Sequence, residues 1–240
     1  MNSDESKLLA EISEYVVTDH LEKSFEHLLN RMNLAMPGPV DSYGRCIWVS
    51  GFIGSGKSSF TKYLGFALDQ KKMIDGKSFL IHLQDRLCND STKALLNVVS
   101  KNLNPHVVFL DLAREISAGS DMMDISSVLR NKVLRDCGYS DDIEVAELEL
   151  MLDERVQEII DLVKRKSGKN NIIFILDDVG EYIGTSGDAA FNFYGLVERL
   201  VYIGKGSIWL FATGGVDLSD NRYLSRIAGK FSINVHLESR

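Results

Sequence analysis

Proline is scarce in this chain. Only three occur in 240 residues, and two of them fall with two glycines in one stretch, MPGPVDSYG (36–44), which reads as a linker. Cysteine is equally sparse. Cys46, Cys88 and Cys137 lie far apart, with no CxxC or histidine-rich spacing. That argues against a zinc module or a disulfide framework and for reduced structural thiols. No apolar run approaches the ~18–20 residues of a membrane-spanning helix. The acidic start MNSDES is not followed by a signal-type apolar core, so the expected location is cytoplasmic, with no membrane partner. An excess of positive charge is also missing: 27 Lys and Arg against 34 Asp and Glu give a net charge of −7. This argues against a uniformly basic nucleic-acid coat. Any DNA contact is then indirect or confined to a small patch such as Lys62, Lys71, Lys72 and Lys77, a cluster better read as a solvated face. There are no internal repeats, and no helix-turn-helix or aromatic-basic sheet is readable.

What is present is alternation. Residues from about Lys7 to Leu34 show helical spacing of apolar side chains, with Val16-Val17-Thr18 as a point of interruption. After the linker, the runs RCIWVS, SFLIHL, HVVFLDL, NIIFILD, SIWLFAT and SINVHL read as strands. Several are apolar at consecutive positions, as suits strands covered on both faces. Between them, STKALLNVVSKNL, DISSVLRNKVLRDCG and the stretch from Glu144 to Lys166 read as helices. The last of these carries Lys164, Arg165 and Lys166 in its final turn, with Gly168 beyond. The expected fold is α/β, a three-layer sandwich around a mostly parallel sheet. It divides into an N-terminal helical segment and linker (1–42) and a core (43–240).

The core opens with Gly51-x-x-x-x-Gly56-Lys57-Ser58, the P-loop pattern, between a strand and a helical face made by Phe60, Tyr63, Leu64, Ala67 and Leu68. Phosphate oxygens need several backbone N–H groups converging on one point, in conformations that a Cβ obstructs and glycine permits. The helix beginning near Lys57 adds its free N–H groups. The expected cofactors are ATP and Mg²⁺. Gly51, Ile53, Gly54, Ser55, Gly56, Lys57, Ser58 and Ser59 form the nucleotide cradle, with Lys57 on the β/γ-phosphates and Ser58 on the metal.

The metal needs a carboxylate at a neighbouring strand tip. In NIIFILDDVGEY, Asp177 stands where that aspartate belongs. The next residue, often a glutamate that polarises the attacking water, is Asp178, one methylene shorter; Glu181 is a second candidate for that role. Thr213 closes the strand SIWLFAT, where a hydroxyl contacts the γ-phosphate or the water, or simply caps the strand. Arg222, Arg226 and Lys230 lie shortly before the last strand. An arginine there can reach the ATP of a neighbouring subunit, although a solvated basic turn explains the cluster nearly as well.

Together, EYVVT, WVSGFIGSGKSSFTKYLG, GYSDDIEVAELELML and IIFILDDVGEYIG resemble the N-terminal ATPase region of the large P-loop proteins of BREX phage-defence systems, the BrxC/PglY family. The likeness runs from about Glu14 to Leu237. It implies an AAA+ fold close to origin-recognition ATPases, with Lys57 and Ser58 in Walker A, Asp177 and Asp178 in Walker B, Thr213 as sensor I and Arg226 as the arginine finger. It also implies a homo-oligomer working with other defence proteins. The family commonly has Asp-Glu where this chain has Asp177-Asp178, and Arg where Lys230 stands. Its members are far longer and carry a helical lid beyond the last strand; the lid is missing here, so the chain is expected to be a fragment or truncated.

Three functions compete on these residues. The first is an ATP-hydrolysing motor or switch in a DNA-directed phage-defence assembly, hydrolysing slowly. The second is a STAND-like signalling or scaffolding switch that holds nucleotide and turns over little, which Asp178 favours. The third is a P-loop kinase, which would want a basic substrate lid that is not evident.

Overall fold

The computed structural model describes residues 3–36, 43–117, 124–139, 150–220 and 222–238. In chain order, α1 (Ser3–Glu14) and α2 (Asp19–Ala35) lead into β1 (Cys46–Gly51) and α3 (Lys57–Leu68). A small hairpin follows, β2 (Met73–Ile74) with β3 (Lys77–Ser78), then α4 (Phe79–Gln84), α5 (Asp90–Leu103) and β4 (His106–Asp111). Next come α6 (Leu112–Ser117), α7 (Ile125–Asp136), α8 (Leu152–Ser167), β5 (Ile172–Asp177) and α9 (Val179–Ile183). The chain continues through α10 (Gly187–Gly204) and β6 (Ile208–Gly214) to β7 (Ile233–Leu237). The linker residues 37–42 and the segment 140–149, which includes the expected start of a helix at Glu144, lie outside the described residues.

Five strands form one parallel sheet in the order β4-β5-β6-β1-β7. The three central strands are buried along their whole length, and each alternates its side chains between two apolar layers. Ile47, Val49, Ile173, Ile175, Trp209 and Phe211 face the layer built by α1 to α5. Trp48, Phe174, Leu176, Leu210 and Ala212 face α7, α8 and α10. At the β7 edge the pattern relaxes to strict alternation of buried and exposed. The three-layer α/β sandwich expected from the alternation of runs is therefore the observed architecture.

The chain breaks between α1 and α2 at Tyr15–Thr18, where the Thr18 hydroxyl accepts from the Leu21 amide at 3.3 Å and caps the second helix. Both helices then pack onto the core. Phe25 stacks on Phe60 of α3 at 4.4 Å, and Tyr15 meets Tyr63 edge-on at 4.8 Å. The Glu22 carboxylate accepts from the amide of Asn89 at 2.6 Å, fixing the start of α5. The helical segment thus shares one apolar layer with the phosphate-loop helix.

One expected strand is a helix. Of SFLIHL (78–83), Ser78 ends β3 and the rest opens α4 instead of continuing as a strand. A strand would bury Phe79, Ile81 and Leu83 together, whereas Phe79 and Leu83 are fully buried and Ile81 is exposed. Spacing by four, not by two, matches that surface.

Because Phe25 is fully buried against Phe60, Phe25→Ala is expected to cost about 3–5 kcal/mol of stability. Leu34→Ala, at an exposed position, should change it by no more than about 0.5 kcal/mol. Urea unfolding followed by far-UV circular dichroism checks both. A cost near zero at Phe25 would mean that the N-terminal helices do not belong to the core.

Candidate functional site

The loop between β1 and α3 lies at the carboxyl end of the parallel sheet, the end where open α/β sheets place their ligands. Register fixes this end. Ser50 pairs with Gly214 of β6, and Gly51 with Leu237 of β7. At Gly51 φ is 152°, and an added Cβ would lie 2.5 Å from the Leu237 carbonyl oxygen and 2.6 Å from Ser55 Oγ. Gly56 is left-handed at φ 89° and opens α3 with no side-chain cap, which leaves the first-turn N–H groups of the helix to the loop.

Two features of the loop fit an anion. The Lys57 side chain is buried, and its ammonium donates to the loop carbonyls of Gly51 at 2.9 Å and Phe52 at 3.1 Å. No carboxylate lies within ion-pair distance of it among the described residues. The Ser55 hydroxyl is also buried and has no hydrogen-bond partner among the described residues. A buried hydroxyl without a partner costs about 1–3 kcal/mol, which a ligand oxygen would recover. Around this pair the rim is open: Gly54 and Ser58 are exposed, Ser59 is partly so, and Ile53 stands 96% exposed.

The acids form the opposite wall. Asp177, at the tip of β5, is buried to 3% exposure. The fully buried Thr213 hydroxyl donates to Asp177 Oδ1 at 2.7 Å and accepts from the Asp178 amide at 2.9 Å. Its single proton is therefore committed to the aspartate, and Thr213 orients that carboxylate. Asp178 caps α9 in a left-handed conformation, φ 62° and ψ 31°, which turns the chain sharply out of the strand. Burial pushes its carboxyl up to about 6, helped by Asp177, Glu181 and Asp111, with Lys57 opposing. Lys57 at the start of α3 and the acids at the tips of β4 and β5 lie at the same end of the parallel sheet. Glu181 sits in the first turn of α9, exposed.

Asp111 was not foreseen. It is the register partner of Asp177 at the tip of β4, and its carboxylate accepts from the Arg114 amide at 3.0 Å. The signal was present in HVVFLD, an apolar run ending in an acid. A second unforeseen cluster lies under the cradle. Ser50 Oγ donates to Asp217 Oδ1 and lies 3.0 Å from His236 Nδ1, joining the end of β1 to the loop after β6 and to β7. Among the described residues, no group of three or more His, Cys, Asp or Glu side chains could hold a metal ion by itself. A metal at this site would need oxygens from the ligand as well as Ser58 and Asp177.

Arg226 stands apart from the cradle. It is exposed on the turn Leu224–Arg226, has no hydrogen-bond or ion-pair partner among the described residues, and borders a cavity of about 210 Å³ with Phe191 and Tyr194 of α10. Lys230, by contrast, is consumed internally. It donates to Glu198 Oε1 and to the Tyr43 hydroxyl, each at 2.7 Å. Burial lowers its pKa, but these bonds outweigh it and hold the ammonium above the ordinary lysine range.

No protein-family model matches the chain. Solved structures resemble it, among them the following two. One is the Aeropyrum pernix ORC1 protein in complex with DNA, at 13% identity and a TM-score of 0.53, with 93% of this chain and 46% of that chain covered. The other is the replication initiator DnaA bound to AMPPCP and single-stranded DNA, at 13% identity and a TM-score of 0.42, with 95% and 50% covered. The chain therefore spans about half the length of each. The likeness to ORC1 is one of fold, a parallel sheet between two layers of helices.

The raised Asp178 pKa has a consequence for the ligand-free protein. The folded state holds the proton more tightly than the unfolded chain, so this residue's destabilising effect is absent below about pH 4 and grows as pH rises through 6. Asp178→Asn removes it. The variant should melt higher than the parent above pH 6 and level with it at pH 4, as scanning calorimetry can check; a difference that does not vary with pH would contradict the assignment.

Proposed function

We propose that this domain binds ATP with Mg²⁺ in the Gly51–Ser59 cradle and hydrolyses it slowly, as an oligomeric motor or switch in a BREX-type anti-phage assembly. The observation that carries the nucleotide reading is the buried Lys57 ammonium, bonded only to its own loop, beside the unpartnered Ser55 hydroxyl. A polyphosphate supplies the acceptors that both groups lack. The first-turn amides of α3 add donors and a favourable dipole.

Ser58 and Asp177 would hold the magnesium with phosphate oxygens, and the ion's chemistry there is neutralisation of phosphate charge. Thr213 keeps the Asp177 carboxylate turned into the site. Asp178 is the residue we assign to orienting the attacking water, with Glu181 as the second candidate; burial first, then Asp177 and Glu181, raises the proton affinity of Asp178. The exposed, unpartnered Arg226 supports a finger offered to the nucleotide of a second copy. The defence context rests on the sequence likeness to the BrxC/PglY family, and DNA is retained as an indirect partner. A STAND-like switch with little turnover is the second reading. It is favoured by the short reach of Asp178 and by a carboxyl that is half protonated near pH 6.

Lys57→Ala should abolish binding of a fluorescent ATP analogue. Arg226→Ala should leave binding intact while removing most turnover, by a factor on the order of 10³ if a finger is lost. In the parent protein, phosphate release per molecule should be weak and rise with protein concentration. Robust turnover unchanged on dilution would contradict the trans finger, and unaltered analogue affinity in Lys57→Ala would contradict the cradle.

A further inference from the structure

A second cavity lies at the far end of the molecule. The phosphate loop crowns the carboxyl ends of the strands, whereas this groove, of about 630 Å³, runs along the amino-terminal half of β4. β4 is the terminal strand of the sheet. In a parallel ladder, alternate residues direct their N–H and C=O groups to opposite edges. The His106 amide donates to Asn171 on the β5 side at 2.8 Å, so Val107 and Phe109 present their backbone groups to the groove. The Val107 amide points that way and is taken by Asp69 Oδ2 at 3.4 Å, which leaves the Val107 carbonyl and both backbone groups of Phe109 facing the groove. An edge of this kind is a template for another strand.

The groove walls select for charge. Their apolar part includes Phe66, Phe109 and Val163, and the lysines of the lining are Lys71, Lys72, Lys132 and Lys166. The acids in the lining are already neutralised, Asp136 by Lys132 and Asp69 by the buried Lys169 at 2.7 Å. Lys71 donates to the Ser167 carbonyl at 2.8 Å, and Lys72 lies over the Phe66 ring at 4.7 Å. Lys72 and Lys166 have no carboxylate partner among the described residues, nor does Lys71. In a chain of net charge −7 this is a local positive surface around a strand edge that no further strand pairs with among the described residues.

We propose that the groove is a docking site for an acidic, extended segment of a partner protein, which adds to β4 as a further strand and sets its carboxylates against Lys71, Lys72 and Lys166. Strand addition draws affinity from main-chain bonds and specificity from alternate side chains. A nucleic acid would satisfy the lysines but not the outward N–H and C=O groups of Phe109. The site is independent of the nucleotide reading.

The test is fluorescence anisotropy with a labelled Glu-Val-Glu-Val-Glu-Val hexapeptide. Its controls are the same peptide N-methylated at alternate residues, the Lys-Val counterpart, and an oligothymidylate of similar length. Saturable binding of the acidic peptide is expected, weakened at least ~10-fold by N-methylation or by exchanging Glu for Lys. The double variant Lys72→Glu/Lys166→Glu should weaken binding by a similar factor, with a thermal midpoint like the parent's to show that it folds. Absence of binding, equal affinity for the methylated peptide, indifference to the charge reversal in a folded variant, or preference for the oligothymidylate would each overturn the proposal.

Discussion

The ammonium of Lys57 is folded back onto the carbonyls of the loop that precedes it, and most of the site is arranged around that contact. A buried cation bonded only to neutral acceptors is incompletely satisfied, because the charge itself has no counter-ion. The loop can hold it there because Gly51 packs against Leu237 without a side chain and Gly56 turns left-handed into α3. The register of β1 between β6 and β7 then sets this cation at the same sheet end as the carboxylates of β4 and β5.

The acid wall shows how a fold can hold two adjacent aspartates differently. Asp177 receives the Thr213 proton, which fixes the orientation of its carboxylate. Asp178 gives only its backbone amide to Thr213, and its carboxyl enters the shared field of three other acids. One threonine thus fixes the orientation of the first carboxylate and the turn that presents the second. Ser50, Asp217 and His236 perform a comparable mechanical task beneath the loop, tying β1 to the segment that leads on to Arg226.

Much of this was legible in the sequence where burial is two-sided. CIWVSG, IIFILD and IWLFATG could be read as central strands because consecutive apolar residues have few other homes. The short run FLIHL could not be read reliably, since four apolar residues in five suit a helix turn as well as a strand and only tertiary packing decides. The helix α10 was not anticipated, although its buried residues Ala190, Phe193, Leu196, Val197 and Leu200 fall at helical spacing on one face. At the site, the cradle and Asp177 follow from local spacing. Asp111 is marked locally as an acid ending an apolar run, but its place beside Asp177, like His236 and the double role of Thr213, depends on which strands are neighbours.

The most direct measurement is an amide NMR titration of the protein with a non-hydrolysable ATP analogue and Mg²⁺. The account predicts that the largest shifts fall on the amides from Gly54 to Ser59, with Asp178 next as the Asp177–Thr213 contact responds. Shifts clustered elsewhere, with the Gly51–Ser59 amides unmoved at saturation, would contradict it.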